Sequence, residues 1–369
     1  MILSVAIREI GGQKKVRMTW ETLDWEVLDR LRETFLTGDK TAGPYWHTIT
    51  DLECYDFTYG ERIGWKWDAV LAELQSRHWS PPAGGVLLDW GCGSGVAGRR
   101  VLEAFGAGYF SRLALHDHSE LALDFAGHRA RRAFPGLTVE RASTRLLRGT
   151  EPIGLLVVSH VVNELDEIAK AELTELAGRA QAILWVEPGT HEVSRALGAW
   201  REQLRGLFRL VGPCPHQGAC GVLAPGNERH WCHFFAAPPN GVYADSGWVR
   251  FGQRAGIDLR ALPYCFLALD RRSAPGNGSG RKSAGDPGDL TIAAPSPGLS
   301  RIIGEPRLYK GYAKIFNCDA AGVAELMLQK RDAPDLLKAF KHDGAGTSFH
   351  RWAHENGRIT KTFPEPATD

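Results

Sequence analysis

From Val86 onward, short apolar runs alternate with longer amphipathic ones, and no other feature restricts the fold of this chain as much. Val86-Leu87-Leu88-Asp89 reads as a buried strand and Leu113-Ala114-Leu115-His116-Asp117 as a second. Leu137-Thr138-Val139-Glu140 is a less apolar third, Leu155-Leu156-Val157-Val158-Ser159 a fourth and Ala182-Ile183-Leu184-Trp185-Val186-Glu187 a fifth. Helical stretches fall between them, Glu120 to Phe134 and Asp166 to Gln181. This alternation predicts an α/β fold, a parallel sheet with helices on both faces. Residues 1–80 read as a mainly helical region, with Trp67, Val70, Leu71 and Leu74 at helical spacing, closed by Ser80-Pro81-Pro82-Ala83-Gly84-Gly85. The sheet domain is expected over 81–270, ending with a helix at Val193 to Phe208 and an apolar strand at Tyr264 to Leu269. Residues 271–300, rich in Gly, Ser and Pro, read as a flexible linker. Residues 301–369 read as a small basic β-rich unit with a short helix at Pro334 to Lys341.

The first strand ends in Leu88-Asp89-Trp90-Gly91-Cys92-Gly93-Ser94-Gly95, which opens the next helix. A tight strand-to-helix turn needs residues that tolerate positive φ, and a ligand approaches backbone closely only where no Cβ intervenes. The helix N-terminus offers free N–H groups to a polar ligand. Asp117 follows Gly95 by 22 residues, near the ~20 that separate such a loop from a ribose-binding acid. The spacing Asp-x-Gly-x-Gly-x-Gly differs from the dinucleotide form Gly-x-Gly-x-x-Gly and resembles the class I S-adenosylmethionine-dependent methyltransferases. The resemblance implies a Rossmann-like sheet. It assigns Asp89, Gly91, Gly93 and Gly95 to the amino acid part of S-adenosylmethionine and Asp117 to its ribose. Cys92 reads as a small side chain filling the turn.

Ser159-His160-Val161-Val162-Asn163-Glu164-Leu165 follows the fourth strand, where such a fold brings methyl group and acceptor together. His160, Asn163 and Glu164 are the candidates for substrate binding or general base. Equally, they could cap the next helix, since Asn163 precedes an acid-rich first turn. The Asn/Asp-Pro-Pro-aromatic segment of base-amine methyltransferases is absent, so the acceptor is unspecified. Transfer from a sulfonium needs mainly in-line placement of that acceptor.

Three of the seven cysteines fall in Cys214-Pro215-His216-Gln217-Gly218-Ala219-Cys220 and His230-Trp231-Cys232-His233-Phe234. Gly and Pro punctuate the segment, so a loop is expected. Clustered thiols on a loop suit zinc or an iron–sulfur cluster. Cys214, Cys220 and Cys232 supply three ligands. Cys265, on the next apolar strand, is the expected fourth, with His216, His230 and His233 as alternatives. An odd cysteine count with local clustering fits a reducing compartment, not a secreted disulfide scaffold. The N-terminal apolar run is too short for a signal peptide, and no stretch approaches the ~20 residues of a membrane span. A cytoplasmic monomer without membrane contact is expected. Overall charge is balanced, 44 basic against 43 acidic residues, but from Arg271 onward it is 15 against 11. That surplus permits contact with nucleic acid without requiring it.

Taken together, Val186-Glu187-Pro188-Gly189-Thr190, a helix containing Arg201, Gly212-Pro213-Cys214-Pro215-His216 and Trp231-Cys232-His233-Phe234 resemble one family. It is the methyltransferase-like family associated with the small ribosomal subunit, whose mitochondrial members are counted as assembly factors. Ser159 to Leu165 and the tail, with Lys310-Gly311 and Lys330-Arg331-Asp332, fit the same pattern. The resemblance implies a [4Fe-4S] cluster on four cysteines, of which Cys214, Cys220 and Cys232 match, with zinc as the alternative metal. It implies the small ribosomal subunit or its rRNA as partner. Two roles follow: methyl transfer to rRNA or a ribosomal protein, or a non-catalytic assembly factor that grips RNA through the cluster and tail.

Overall fold

The computed structural model describes residues 18–37, 45–272 and 298–363; most of the expected linker, 273–297, lies outside the described residues. Three helices come first, α1 (Trp25–Thr37), α2 (Ile49–Tyr55) and α3 (Glu61–Ser76). Thr48 starts α2 in a reciprocal cap with Asp51, which satisfies two N–H groups that the first turn leaves open. Then follow β1 (Val86–Trp90), α4 (Val96–Phe105), β2 (Arg112–His116), α5 (Glu120–Ala133), β3 (Val139–Arg141), α6 (Thr144–Arg148) and β4 (Ile153–Ser159). The sheet is completed by α7 (Glu167–Arg179), β5 (Ala180–Pro188), α8 (His191–Leu204), β6 (Arg209–Gly212), β7 (Phe234–Phe235), α9 (Ser246–Ala255) and β8 (Pro263–Asp270).

The strand order is β3-β2-β1-β4-β5-β8-β6, with β7 beside β8. Strands β1 to β5 are parallel, as the alternating pattern predicts. The rest is not: β8 runs antiparallel to both β5 and β6, so the sheet is mixed. The reason lies in the segment 213–262, which leaves β6 and re-enters β8 at the same edge of the sheet. A strand that starts where the previous one finished must run back. The result is a Rossmann-like sheet with one reversed strand near its edge.

Both faces of the sheet are covered, which is why its strands read as unbroken apolar runs. Leu87, Leu155, Val157 and Leu184 face α3, α4 and α5 through Trp67, Leu71, Val101 and Ala126. Leu88, Leu156, Val158 and Ile183 face α7 and α8 through Leu173, Leu176 and Leu197. Thus α3, from the N-terminal helical region, belongs to the same core as the sheet.

The C-terminal unit comprises β9 (Leu299–Ile302), β10 (Arg307–Tyr309), β11 (Tyr312–Asp319), β12 (Gly322–Gln329), α10 (Pro334–Asp343), β13 (His350–Glu355) and β14 (Arg358–Phe363). Pairing of β11 with β9 closes these strands into a small barrel around Ile315, Leu326, Leu328, Trp352 and Ile359. Leu337 and Phe340 of α10 plug it. The barrel sits against the loop after β6, where a Cβ on Gly221 would lie 2.7 Å from the Gly322 Cα. Backbone meets backbone there, and a side chain on Gly221 would push the two units apart. Among the described residues no helix is long and apolar enough to cross a membrane.

Candidate cofactor cleft and cysteine cluster

The glycine loop joins β1 to α4. Gly91 and Gly95 have φ of +70° and +75°, a region L side chains rarely adopt. A Cβ on Gly91 would lie 2.8 Å from Val161 Cγ1, and one on Gly95 2.8 Å from the Ala126 Cβ. Gly93 faces open space, so the loop is packed on its flanks and open at its centre.

Asp89 is fully buried beneath this loop. Its Oδ2 accepts a hydrogen bond from Gly98 N at 3.0 Å, while Oδ1 has no partner. Burial raises its pKa to about 7, against the pull of the Gly98 N–H. The Ser94 hydroxyl is also buried without a partner. Orphaned polar groups in a native interior call for a ligand or water. Ser94 lines the cleft above the loop, whereas Asp89 lies beneath the loop and is not part of the cleft wall. Asp117 has a second task that spacing did not reveal. Its Oδ2 accepts from Gly93 N at 2.8 Å and its Oδ1 from Ser119 N at 2.9 Å, pinning the loop to the end of β2. Each oxygen keeps a second lone pair for a ribose hydroxyl.

The cleft above the loop is lined by Trp90, Asp117, His160 and Glu164, and by Phe35, Tyr45 and Trp46 from the N-terminal region. Those aromatic residues were not legible as site residues. Leu31 of α1, Trp46, and Leu52 of α2 pack on Ala122 and Phe125 of α5, and that holds this aromatic segment over the cleft.

Of the three candidates after β4, His160 is the most constrained. Its φ is +58°. Its Nε2 lies 3.3 Å from Lys66 Nζ and its Nδ1 3.2 Å from Ser159 Oγ, which accepts from Trp67 Nε1 at 3.0 Å. Burial, then the Lys66 charge, holds His160 well below its usual pKa. Burial, then Arg62, lowers Lys66 to about 8. Glu164 lines the cleft and pairs with the Tyr45 hydroxyl. Asn163 is exposed and does not cap the next helix. Asp166 does, its Oδ1 accepting from Ala169 N at 2.8 Å. Glu187 of the Glu-Pro-Gly-Thr segment explains the shape of this loop. It is buried, and its Oε1 accepts from Val161 N at 3.0 Å, Val162 N at 3.3 Å and Trp185 Nε1 at 2.7 Å. Burial raises Glu187 to about 7, against those bonds.

The cysteine segment forms an irregular loop at the sheet edge, facing the barrel. Burial lifts the Cys232 thiol well above its usual pKa, and Cys214, Cys318 and Cys220 add to the lift in that order. Burial likewise raises Cys318, with Cys214 and Cys220 next. Four thiols therefore share one neighbourhood. The fourth is Cys318 on β11, not Cys265. Cys265 lies opposite Glu187 in the sheet and donates to Pro188 O at 3.4 Å, beside Ser194, Glu187 and Lys66. The histidine alternatives divide. His216 Nε2 lies 3.8 Å from Cys318 Sγ, whereas His230 stacks on Phe316 and His233 on Trp231. Buried Arg201 donates from Nε to Cys214 Sγ at 3.1 Å and from Nη2 to Gly218 O at 2.8 Å. None of the seven cysteines is in a disulfide. Among the described residues no three or more His, Cys, Asp or Glu side chains are arranged to hold a metal ion, so the expected metal-binding insertion is present only as a cysteine-rich loop.

No curated protein matches this sequence. Among solved structures, a putative RNA methyltransferase from Pyrococcus horikoshii is 10% identical with a TM-score of 0.35, covering 56% of this chain and 83% of its own. An rRNA methylase from Streptococcus thermophilus is 12% identical with a TM-score of 0.32, covering 55% and 93%. The plantazolicin methyltransferase BamL, solved with S-adenosylhomocysteine, is 11% identical with a TM-score of 0.37, covering 66% and 99%. The sequence pattern of one family matches residues 66–349. That match spans the C-terminal two thirds of α3, the whole sheet, the cysteine loop and most of the barrel, and the chain belongs to the family described as mitochondrial small ribosomal subunit Rsm22.

Proposed function

We propose that this chain binds S-adenosylmethionine in the cleft over Gly93 and acts on or with the small ribosomal subunit as a methyltransferase-like protein. The observation that carries the reading is the pair of unmet polar groups at an open glycine loop, Asp89 Oδ1 beneath it and Ser94 Oγ on the cleft side. Asp89 would attract the ammonium of the cofactor from beneath the loop, and Asp117 would hold its ribose. The bound cofactor would supply an electrophilic methyl group. Phe35, Tyr45 and Trp46 would exclude water from it. His160 is a poor proton acceptor for the transfer, because both ring nitrogens are engaged and Lys66 lies against one of them. That observation favours the second reading, a non-catalytic assembly factor that keeps the cofactor fold as a scaffold. Incubation of the protein with tritiated S-adenosylmethionine and isolated small subunits separates the two. Label on rRNA or a ribosomal protein supports turnover. Cofactor binding and subunit co-sedimentation without label supports the scaffold. Failure of both binding measurements removes the whole reading.

The same proposal includes a [4Fe-4S] cluster on Cys214, Cys220, Cys232 and Cys318, with zinc as the alternative; the four thiols share one neighbourhood and would have to draw together around the group. Thiolates are the ligands such a cluster takes, and Arg201 would offset part of their charge. A cluster there would be structural, tying barrel to sheet.

Asp89→Asn tests the cofactor site in two ways. Losing the carboxylate should weaken S-adenosylmethionine binding about tenfold by calorimetry, the worth of one opposite charge beneath the loop. The free protein should respond oppositely. A carboxyl raised from 3.8 to about 7 destabilises the fold progressively as pH climbs from about 4 to 7, and fully above that. The shift corresponds to at most ~4 kcal/mol, so a gain of about 2 kcal/mol at pH 8 is expected for the variant. The gain should fade towards pH 4. Urea unfolding between pH 4 and pH 8 measures it; a difference that does not change with pH refutes a buried, reluctant Asp89.

A further inference from the structure

We infer that the outer face of the C-terminal barrel, with the cysteine loop opposite it, is a groove for single-stranded RNA. The inference rests on the proposed association with the small ribosomal subunit and names where the RNA would lie. Topology comes first. Pairing runs β9-β11-β12-β14-β13 and back to β9. Strands β12 and β14 are parallel, and α10 connects β12 to β13. Strand β10 extends the first strand along β11. A closed five-stranded barrel with its helix between the third and fourth strands is the oligonucleotide-binding architecture, whose second and third strands form the binding face. Here those strands are β11 and β12.

Architecture alone carries no function, so the side chains on that face decide. On β11, Ala313, Ile315 and Asn317 point into the barrel, which turns Tyr312, Lys314, Phe316 and Cys318 outward. Tyr312 stacks on Tyr309 of β10 with ring centroids 4.6 Å apart and planes 6° from parallel, and Tyr309 is 42% exposed. Phe316 stacks on His230 of the cysteine loop at 4.1 Å. Next to it Trp231 stacks on His233 at 4.7 Å. Arg229, Arg307 and Lys314 line the groove between barrel and loop. Lys310, Lys330 and Arg331 stand exposed beyond the tyrosine pair. Two acids share the groove: Glu305, and Glu325, which pairs with Arg307 and, at 2.9 Å, with Lys314. With Asp332, which lies 3.9 Å from Arg331, six cations face three acids along a line interleaved with flat aromatic faces. That combination suits a phosphate backbone with unpaired bases that can stack. A duplex keeps its base faces hidden and cannot use the tyrosines.

The test uses the full chain, a fluorescent 12-nucleotide oligouridylate and an RNA duplex of equal length, followed by polarisation at several salt concentrations. The wild type should prefer the single strand. Tyr309→Ala with Tyr312→Ala should weaken that binding at least about tenfold, since each lost stack accounts for several-fold. The pair Tyr309→Phe with Tyr312→Phe should retain it. Lys310→Glu with Lys330→Glu should flatten the salt dependence. Preference for the duplex, or unchanged affinity in the alanine pair, overturns the groove. Co-sedimentation with small subunits keeps the two readings apart. Oligonucleotide binding that needs the tyrosines, without subunit association, leaves the groove standing and removes the ribosomal role. Equal subunit association by wild type and alanine pair, with no oligonucleotide binding by either, does the reverse.

Discussion

Glu73→Ala is expected to cost about 3–5 kcal/mol of stability, the penalty for stripping the partner from a buried charge. Glu73 sits on α3 and is 2% exposed. It accepts from Arg77 Nη2 at 2.5 Å, from Arg301 Nη2 at 2.8 Å and from Arg301 Nη1. Arg301 belongs to β9, the first barrel strand, and is 1% exposed. Its guanidinium lies 4.0 Å above the Phe234 ring beside the cysteine loop. Arg77 lies 3.7 Å above Phe349 and donates to Thr347 O at 3.3 Å. Burial works against the Arg301 charge, but Glu73 outweighs it and the pKa is raised; for Arg77 burial wins and lowers the pKa to about 10. One carboxylate thus holds two barrel-bound cations against the sheet. Removing it should loosen the barrel before the sheet melts. Urea unfolding, with limited proteolysis to report on the barrel, measures both effects. A loss below about 1 kcal/mol would mean that the pair is solvated and the interface rests on packing alone. The triple change Glu73→Leu, Arg77→Met and Arg301→Met should recover much of the loss, because apolar replacement of a complete buried ion cluster is often near neutral.

Cys318→Ser should abolish the proposed cluster, while Cys265→Ser should leave it intact. Anaerobically purified wild type should absorb broadly at roughly 400 nm and carry about four irons per chain. The Cys318 variant should fall to near background on both measures. Because three of the thiols lie on the sheet-side loop and one on the barrel, its loss should also lower the unfolding midpoint of the barrel, as metal ligation couples to folding. Retention of the spectrum in Cys318→Ser, or its loss in Cys265→Ser, would reject this ligand set. About one zinc and no iron would keep the thiols and replace the cluster by a single ion.

These two expectations mark where sequence reading stops. The strand-helix alternation placed β1 to β5, α5 and α7 within a few residues, because doubly covered parallel strands must be apolar throughout. Asp89, Gly91, Gly93, Gly95 and Asp117 were legible because a strand-to-helix turn fixes their spacing locally. Strands β6 and β7 escaped notice because they are only four and two residues long. The direction of β8 depends on where a segment of irregular chain re-enters the sheet, which no local pattern records. Arg301 leaves a trace in the sequence. It is the lone charge in Leu299-Ser300-Arg301-Ile302-Ile303, and a cation in an apolar strand needs a buried partner.

The sequence by itself determined the layered α/β sheet, its glycine loop and three of the four convergent thiols, because each depends on residues close in the chain. Only the tertiary structure decided the fourth thiol, the pairing of Glu73 with Arg301 and the roof over the cleft. Cys318 follows Cys232 by 86 residues, and Arg301 follows Glu73 by 228. Such contacts arise from how barrel and helices pack on the sheet, and packing is fixed by the sum of many buried surfaces rather than by any spacing.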